Sequence, residues 1–96
     1  MVTYEWDGKK AISNEHKHGI GFVEASSVFD DPLGMSMPDS EHSFDEDRWI
    51  TMGNSVRGRV LVVVHVRVHS GENDEVIRLV SARRATRLER REYTEG

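Results

Sequence analysis

The chain has 96 residues, no cysteine and a formal charge of −4, which leaves room for a single domain spanning residues 1–96. Without cysteine, disulfides and thiolate metal sites are excluded. No apolar run approaches the roughly 20 residues of a membrane-spanning helix, and the N-terminus lacks the apolar region of a signal peptide. We therefore expect a cytoplasmic protein with no membrane partner.

Positive charge is concentrated towards one end of the chain. Residues 57–91 hold nine arginines against four acidic residues, whereas residues 1–56 hold four basic residues against eleven acidic ones. Five of the arginines lie in the segment 79–93, LVSARRATRLERREY. An asymmetry of this kind indicates a surface for a polyanion or an acidic partner.

The N-terminal half predicts a strand, two helices and a loop. Residues 2–6 (VTYEW) are typical of a strand. Asp7 is a good cap for a helix over residues 9–18, and Gly19 suits the position after its end. An apolar stripe of Phe22, Ala25 and Phe29 predicts a second short helix. Residues 30–46 are acidic and rich in turn formers, which predicts a loop.

The C-terminal half predicts three strands followed by a helix. The strands cover residues 48–52, 59–68 and 75–81, with a turn over 69–74, and the helix covers residues 82–93. The order β-α-α-β-β-β-α is that of an α+β domain. We expect a mostly antiparallel sheet, with the two N-terminal helices packed on one face.

The strand RVLVVVHVRV (59–68) has two chemically different faces. Its even positions are all valine, and its odd positions are Arg59, Leu61, Val63, His65 and Arg67. Because side chains alternate across a strand, one face is wholly apolar and the other is partly basic. We predict that the N-terminal helices cover the valine face.

The residue types present would suit RNA cleavage without a metal. Such cleavage needs a base for the 2′-hydroxyl proton, cations for the phosphate and an acid for the 5′-oxygen. Arginine binds phosphate oxygens in pairs, and histidine exchanges protons near neutral pH. We therefore predict that strand and helix side chains converge on one phosphate-binding patch, with Arg59, His65 and Arg67 from the strand and Arg83 and Arg87 from the helix. Glu89 and Tyr93 are candidate proton carriers on a neighbouring face of the helix.

Each of these side chains also has a structural interpretation. A histidine on a half-buried strand is often only hydrogen-bonded there, and the strand arginines suit ion pairs with neighbouring acids. The helix arginines suit a solvated face. His16 and His18 are two residues apart on a helix, so they do not share one face, and we predict no metal site and no cofactor.

Four stretches carry a resemblance to a known family: YEWDGKKAISNEHKHGIGFVEASSVFDD (4–31), HSFDEDRWITMG (42–53), RGRVLVVVHVR (57–67) and IRLVSARRATRLERREY (77–93). Together they resemble the BrnT family, toxins of bacterial type II toxin–antitoxin pairs. Val80 and Gly21 depart from the family's usual isoleucine and serine. The residues that match its motifs are Lys17, His18, Glu46, Arg48, Arg59, Arg67, Arg78, Arg83, Glu89, Arg90 and Tyr93.

The resemblance implies a RelE-like fold and a ribonuclease that inhibits translation by cleaving RNA. It also implies a BrnA-like antitoxin with a ribbon-helix-helix part, in a 2:2 complex that binds operator DNA through the antitoxin. We assign catalytic roles to His65, Arg67, Arg83, Glu89 and Tyr93. Binding of RNA is assigned to Arg59, Arg78, Arg87 and Arg90.

Two other functions fit the same residues. In a non-catalytic RNA- or partner-binding module, the arginines would bind without cleavage. A purely structural subunit of a larger complex would have no affinity for RNA. Cleavage in the presence of EDTA separates the enzyme from the module. A structural subunit would show no RNA affinity and no loss of growth when expressed without its partner.

Overall fold

A computed structural model describes residues 1–42, 46–69 and 71–95 of the chain. The order of elements is one strand, two helices, four strands and a final helix, with two short 3-10 turns between them. Their bounds are β1 Val2–Glu5, α1 Gly8–His18, α2 Phe22–Ser26, a 3-10 turn Ser27–Asp30, β2 Met35–Pro38, a 3-10 turn Ser40–His42, β3 Arg48–Asn54, β4 Val60–His69, β5 Glu75–Arg84 and α3 Arg87–Glu95. None of the helices in these described segments is long and apolar enough to cross a membrane.

The five strands form one sheet in the order β1-β5-β4-β3-β2. Only the β1–β5 pair is parallel, and the other three pairs are antiparallel. The predicted α+β class and mostly antiparallel sheet are confirmed. The predicted caps of α1 are confirmed as well: the Asp7 carboxylate accepts from the Lys9 and Lys10 amides, and Gly19 has a φ of 70°.

The core lies between the sheet and the N-terminal helices. Its helical side comprises Ile20, Phe22, Ala25 and Val28, and its sheet side comprises Leu61, Val63, Ile77, Leu79 and Ala82. The β4 residues of this core are therefore the odd-numbered ones, so the prediction that the helices cover the valine face is wrong. The basic groups of the odd face lie towards the ends of the strand, which leaves its apolar middle free to pack on the helices.

The predicted loop over residues 30–46 contains a strand. Met35–Pro38 pairs antiparallel with β3, from Met35 opposite Met52 to Pro38 opposite Trp49. This edge strand has only four residues and ends at a proline, which is acceptable at a sheet edge. Its alternation is too short to outweigh the surrounding turn formers in the sequence. Residues 43–45 of the predicted loop, and Ser70 of the predicted 69–74 turn, lie outside the described residues.

The final helix begins later than predicted. β5 continues to Arg84, where it still pairs with Leu61 of β4. Thr86 and Glu89 then form a capping box, because the Thr86 Oγ1 accepts from the Glu89 amide (3.2 Å) and the Glu89 carboxylate accepts from the Thr86 amide (2.8 Å). Arg83 is therefore a strand residue, and the prediction that it lies on the final helix with Arg87 is wrong.

Candidate functional site

The junction of β5 and α3 holds a bidentate ion pair. Arg83 donates from Nη1 to Glu89 Oε1 (2.7 Å) and from Nη2 to Glu89 Oε2 (2.9 Å). These bonds, with the amide and hydroxyl of Thr86, lower the pKa of Glu89 to about 2. The carboxylate is consequently ionised at neutral pH and is a weak base. Its evident task is to hold the Arg83 guanidinium and to cap α3.

Tyr93 lies one helical turn beyond Glu89 on the same face of α3. Its hydroxyl donates to Asp31 Oδ2, an oxygen that also accepts from the Asn54 amide at 2.7 Å. The bond to Asp31 and partial burial raise the pKa of Tyr93, so the phenol is protonated at neutral pH. Arg83, Glu89 and Tyr93 are therefore brought together at one end of the sheet.

Four further arginines lie in the same stretch of sequence as this group, at the end of β5 and on α3. The arginines Arg84, Arg87, Arg90 and Arg91 are exposed. Within the described parts of the chain, no carboxylate lies within 4 Å of their guanidinium groups. These four side chains are called the open arginines below. Their charge is available to an external anion.

Comparison with family models assigns the chain. Residues 6–89 match the model described as ribonuclease toxin, BrnT, of type II toxin–antitoxin system. The chain belongs to the BrnT family. Membership in this family of ribonuclease toxins implies an RNA substrate and an antitoxin partner.

A solved structure agrees in fold. The 1.1 Å crystal structure of the Brucella abortus ribonuclease toxin BrnT matches with a TM-score of 0.65 and 22% identity, over 91% of this chain and 99% of that chain. At this identity the likeness shows the fold alone. Comparison with curated protein sequences gave no significant match.

Arg59, predicted to bind RNA, is engaged inside this BrnT domain. Its Nε donates to Glu24 Oε2 (2.9 Å) and its Nη2 donates to Glu24 Oε1. Glu24 is only 8% exposed and also accepts from the Ser55 hydroxyl (2.8 Å). The guanidinium of Arg59 and the hydroxyl of Ser55 lower the pKa of Glu24. Arg59 thus attaches the β3–β4 turn to α2.

His65, predicted to be catalytic, is buried on the core side of the sheet at 4% exposure. Its Nε2 bonds the Thr51 hydroxyl at 2.7 Å, and its ring meets Phe29 edge-on with centroids 4.8 Å apart. Burial, with a smaller contribution from the Arg67 charge, lowers the pKa of His65 to about 4. The histidine is neutral at pH 7 and faces away from Arg83, which agrees with its structural interpretation.

The predicted convergence of strand and helix arginines is wrong. Arg59 and Arg67 stand at opposite ends of β4, and eight residues at about 3.3 Å each separate them by about 26 Å. Arg67 lies 3.6 Å from Glu75 and stacks over Trp49 at 5.5 Å. Arg78 pairs with Glu5 at 3.1 Å near the far end of β5. Of the predicted catalytic residues, only Arg83, Glu89 and Tyr93 form one group, and their roles stay predictions.

Sequence reasoning missed three residues whose side chains hold predicted site residues or their strands in place. Asn14 and Glu24 belong to the NxxKHGxxFxEA stretch, yet their partners on β5 and on the β3–β4 turn are distant in sequence. Asp31 contacts Tyr93 from 62 positions away, a pairing that no local pattern reveals. The Thr86-to-Glu89 spacing was the one available local signal, since it is that of a capping box.

Proposed function

We propose that this chain is a metal-independent endoribonuclease toxin whose single domain, residues 1–96, cleaves RNA beside Arg83. The observation that supports the proposal is that the exposed open arginines share the segment 84–91 with Glu89, the partner of Arg83, one helical turn before Tyr93. Arg90, three positions before Tyr93, lies on the same side of α3 as the Tyr93 hydroxyl, and with Arg83 it supplies cations suited to phosphate.

Arg83 keeps donors for a phosphate while it is paired with Glu89. Its three occupied N–H groups go to the two Glu89 oxygens and to the Arg84 carbonyl. Among the described residues, two of the five guanidinium N–H groups, one on Nε and one on Nη2, have no partner and are left for a phosphate oxygen. Glu89 fixes the direction of these donors, so little reorganisation is needed when charge develops on the phosphate.

The remaining roles follow from position and charge. Tyr93 contacts the ribose that supplies the attacking 2′-oxygen, while Arg87 and Arg90 bind phosphates of the neighbouring nucleotides. As the 2′-oxygen attacks phosphorus, it gives up its proton to water; the bond from phosphorus to the 5′-oxygen breaks, that oxygen takes up a proton from water, and a 2′,3′-cyclic phosphate is left. His65, Arg59, Arg67 and Arg78 are left out of this proposed site because their contacts are structural or lie elsewhere.

Within the cell, we infer that the toxin acts in the cytoplasm and inhibits translation until a BrnA-like antitoxin neutralises it. A 2:2 complex with a ribbon-helix-helix antitoxin would bind operator DNA through the antitoxin. Acidic groups of the antitoxin would take the place of RNA phosphate on the open arginines, because both ligands meet the same unpaired charge.

A binding module without cleavage is the second candidate. The observation in its favour is that no group of the proposed site is a base near neutral pH, since the pKa of Glu89 is about 2 and that of Tyr93 is raised. In this reading the same arginines hold RNA or an acidic partner, and the strand is never cut.

Purified protein and a labelled RNA separate the two candidates. We expect cleavage that EDTA leaves unchanged and that Arg83→Ala abolishes in a protein whose circular dichroism is unaltered. Arg78→Ala is the matched control, since it removes an arginine of β5 whose partner, Glu5, lies away from the proposed site. Binding without scission, with and without added ribosomes, would establish the module instead.

A growth experiment tests the toxin role and the antitoxin together. Expression of the chain alone should arrest bacterial growth, and co-expression of the neighbouring reading frame should restore it. Arg83→Ala should remove the arrest without lowering the amount of protein. Normal growth with the wild-type chain would argue for a structural subunit.

A further inference from the structure

The Asp31 carboxylate accepts three hydrogen bonds from three parts of the described chain. Its Oδ1 accepts from the Leu33 amide at 2.9 Å, and its Oδ2 accepts from the Asn54 amide at 2.7 Å and from the Tyr93 hydroxyl. Both carboxylate oxygens are therefore fixed by backbone groups that do not depend on Tyr93. The result is a rigid anion at the end of β3, facing the last turn of α3.

The position of that turn depends on few contacts. Helix α3 has no buried residue, and its Leu88 is 63% exposed. Among the described residues, the side chains that tie α3 to strands or turns outside it are Glu89, at the first turn, and Tyr93, at the last. Because apolar packing contributes little, the Asp31–Tyr93 bond decides where the end of α3 and its hydroxyl lie.

The same bond fixes the polarity of the hydroxyl. A phenol has one proton, and in this structure the proton points at Asp31. The bond raises the pKa of Tyr93 and lowers that of Asp31, so the proton stays on the phenol. The phenol oxygen then offers only lone pairs to a molecule that approaches from solvent. A group that donates a hydrogen bond is the partner that such an oxygen selects.

We propose that Asp31 is a positioning residue for the ribonuclease reaction. By binding the proton of Tyr93, it makes the phenol oxygen an acceptor for the 2′-hydroxyl of RNA, the group that DNA lacks. The inference rests on the proposed function, because it places the Tyr93 hydroxyl at the ribose. It adds that selection for RNA over DNA depends on an aspartate that does not touch the substrate.

Oligonucleotides that cannot be cleaved test this directly. Two strands of one sequence carry either a 2′-amino group, which donates, or a 2′-fluoro group, which does not. In fluorescence anisotropy at pH 7.5 the wild type should bind the amino strand about fivefold more tightly, the value of one neutral hydrogen bond. Tyr93→Phe should abolish this preference, so that the amino and fluoro strands bind with equal affinity.

Asp31→Asn is the decisive variant. The asparagine oxygen stays at the Oδ2 position, where the Asn54 amide and the Tyr93 hydroxyl both donate to it. It carries no charge and holds the phenol proton less strongly than the carboxylate does, so the preference for the amino strand should fall. Asp30→Asn is the matched control: it makes the same charge change one residue away, on an exposed side chain that has no bond to Tyr93. Retention of the preference in Asp31→Asn, or its absence in the wild type, would overturn the proposal.

Titration of the Tyr93 phenol tests the contact with Asp31 even if the oligonucleotides bind too weakly for anisotropy. In a Tyr4→Phe background Tyr93 is the one remaining tyrosine, so tyrosinate absorbance reports its pKa alone. Asp31→Asn should lower that pKa towards 10 and Asp30→Asn should not; an unchanged titration would show that the contact is absent. Failure of the proposed function has a different signature, because natural RNA would then stay uncut by the wild type whatever its 2′ preference.

Discussion

The open arginines predict how RNA binding by this BrnT domain depends on salt. Each phosphate contact with a single strand contributes about 0.7 to the slope of log K against log salt. Four contacts, one for each open arginine, give a slope of about −2.8, or about a 50-fold loss of affinity between 50 and 200 mM salt. Replacing Arg87 and Arg90 by glutamine should therefore reduce the slope by about 1.4.

A charge-matched double variant provides the control. Arg57 lies 3.8 Å from Glu24 and Arg78 lies 3.1 Å from Glu5, so binding of a phosphate there must compete with a carboxylate of the chain itself. Arg57→Gln with Arg78→Gln should change the slope by less than half as much. The measurement is anisotropy of a short labelled strand at five salt concentrations. Equal slopes for the two double variants would refute the distinction between open and paired arginines.

Three further predictions concern stability. Asn14→Ala removes the side-chain hydrogen bonds to the Ile20 carbonyl and to both backbone groups of Ala82; urea unfolding should show a loss of about 3 kcal/mol, at about 1 kcal/mol each. The His65 pKa of about 4 lies below the ordinary 6.5, so the unfolded chain binds more protons between these values. The free energy of unfolding should fall by up to about 3 kcal/mol as pH drops from 6.5 to 4. A titration midpoint near 6.5 for the His65 imidazole of the folded protein, measured by NMR, would contradict this. Glu89, whose pKa is about 2 against an ordinary 4.5, contributes stability that is complete above pH 4.5 and lost towards pH 2, and Glu89→Gln should flatten that part of the acid unfolding curve.

The sequence was sufficient where structure is determined by neighbouring residues. Helix α1 begins after Asp7 and ends before Gly19 as predicted, because a cap acts over three or four positions. The start of α3 could have been predicted in the same way from the capping box of Thr86 and Glu89. The helix-forming residues before Thr86 instead led to an earlier predicted start. Helix propensity over residues 82–84 was overridden by pairing with β4, an interaction that the segment does not encode by itself.

The choice of which β4 face meets the helices could not be made from alternation alone. Both faces have an apolar middle, and Val62 and Val66 on the valine face are 6% and 5% exposed, about as buried as the core residues. In the sequence, the basic residues of the odd face indicated that this face meets solvent. The structure accommodates them by giving Arg59 a buried carboxylate, Arg67 an aromatic ring and His65 a hydroxyl.

The acidic N-terminal half explains why arginine content overstated the phosphate-binding surface. Glu5 and Glu24 come from that half and pair with arginines from the basic half, across 73 and 35 positions. Each such pair removes a predicted RNA contact and adds a tie between distant elements. The open arginines all lie in the segment 84–91, where Glu89 is the one acid and is itself committed to Arg83. The positive charge available to RNA is therefore that of the arginines without a carboxylate partner inside the chain. These open arginines lie near Tyr93 and not along β4.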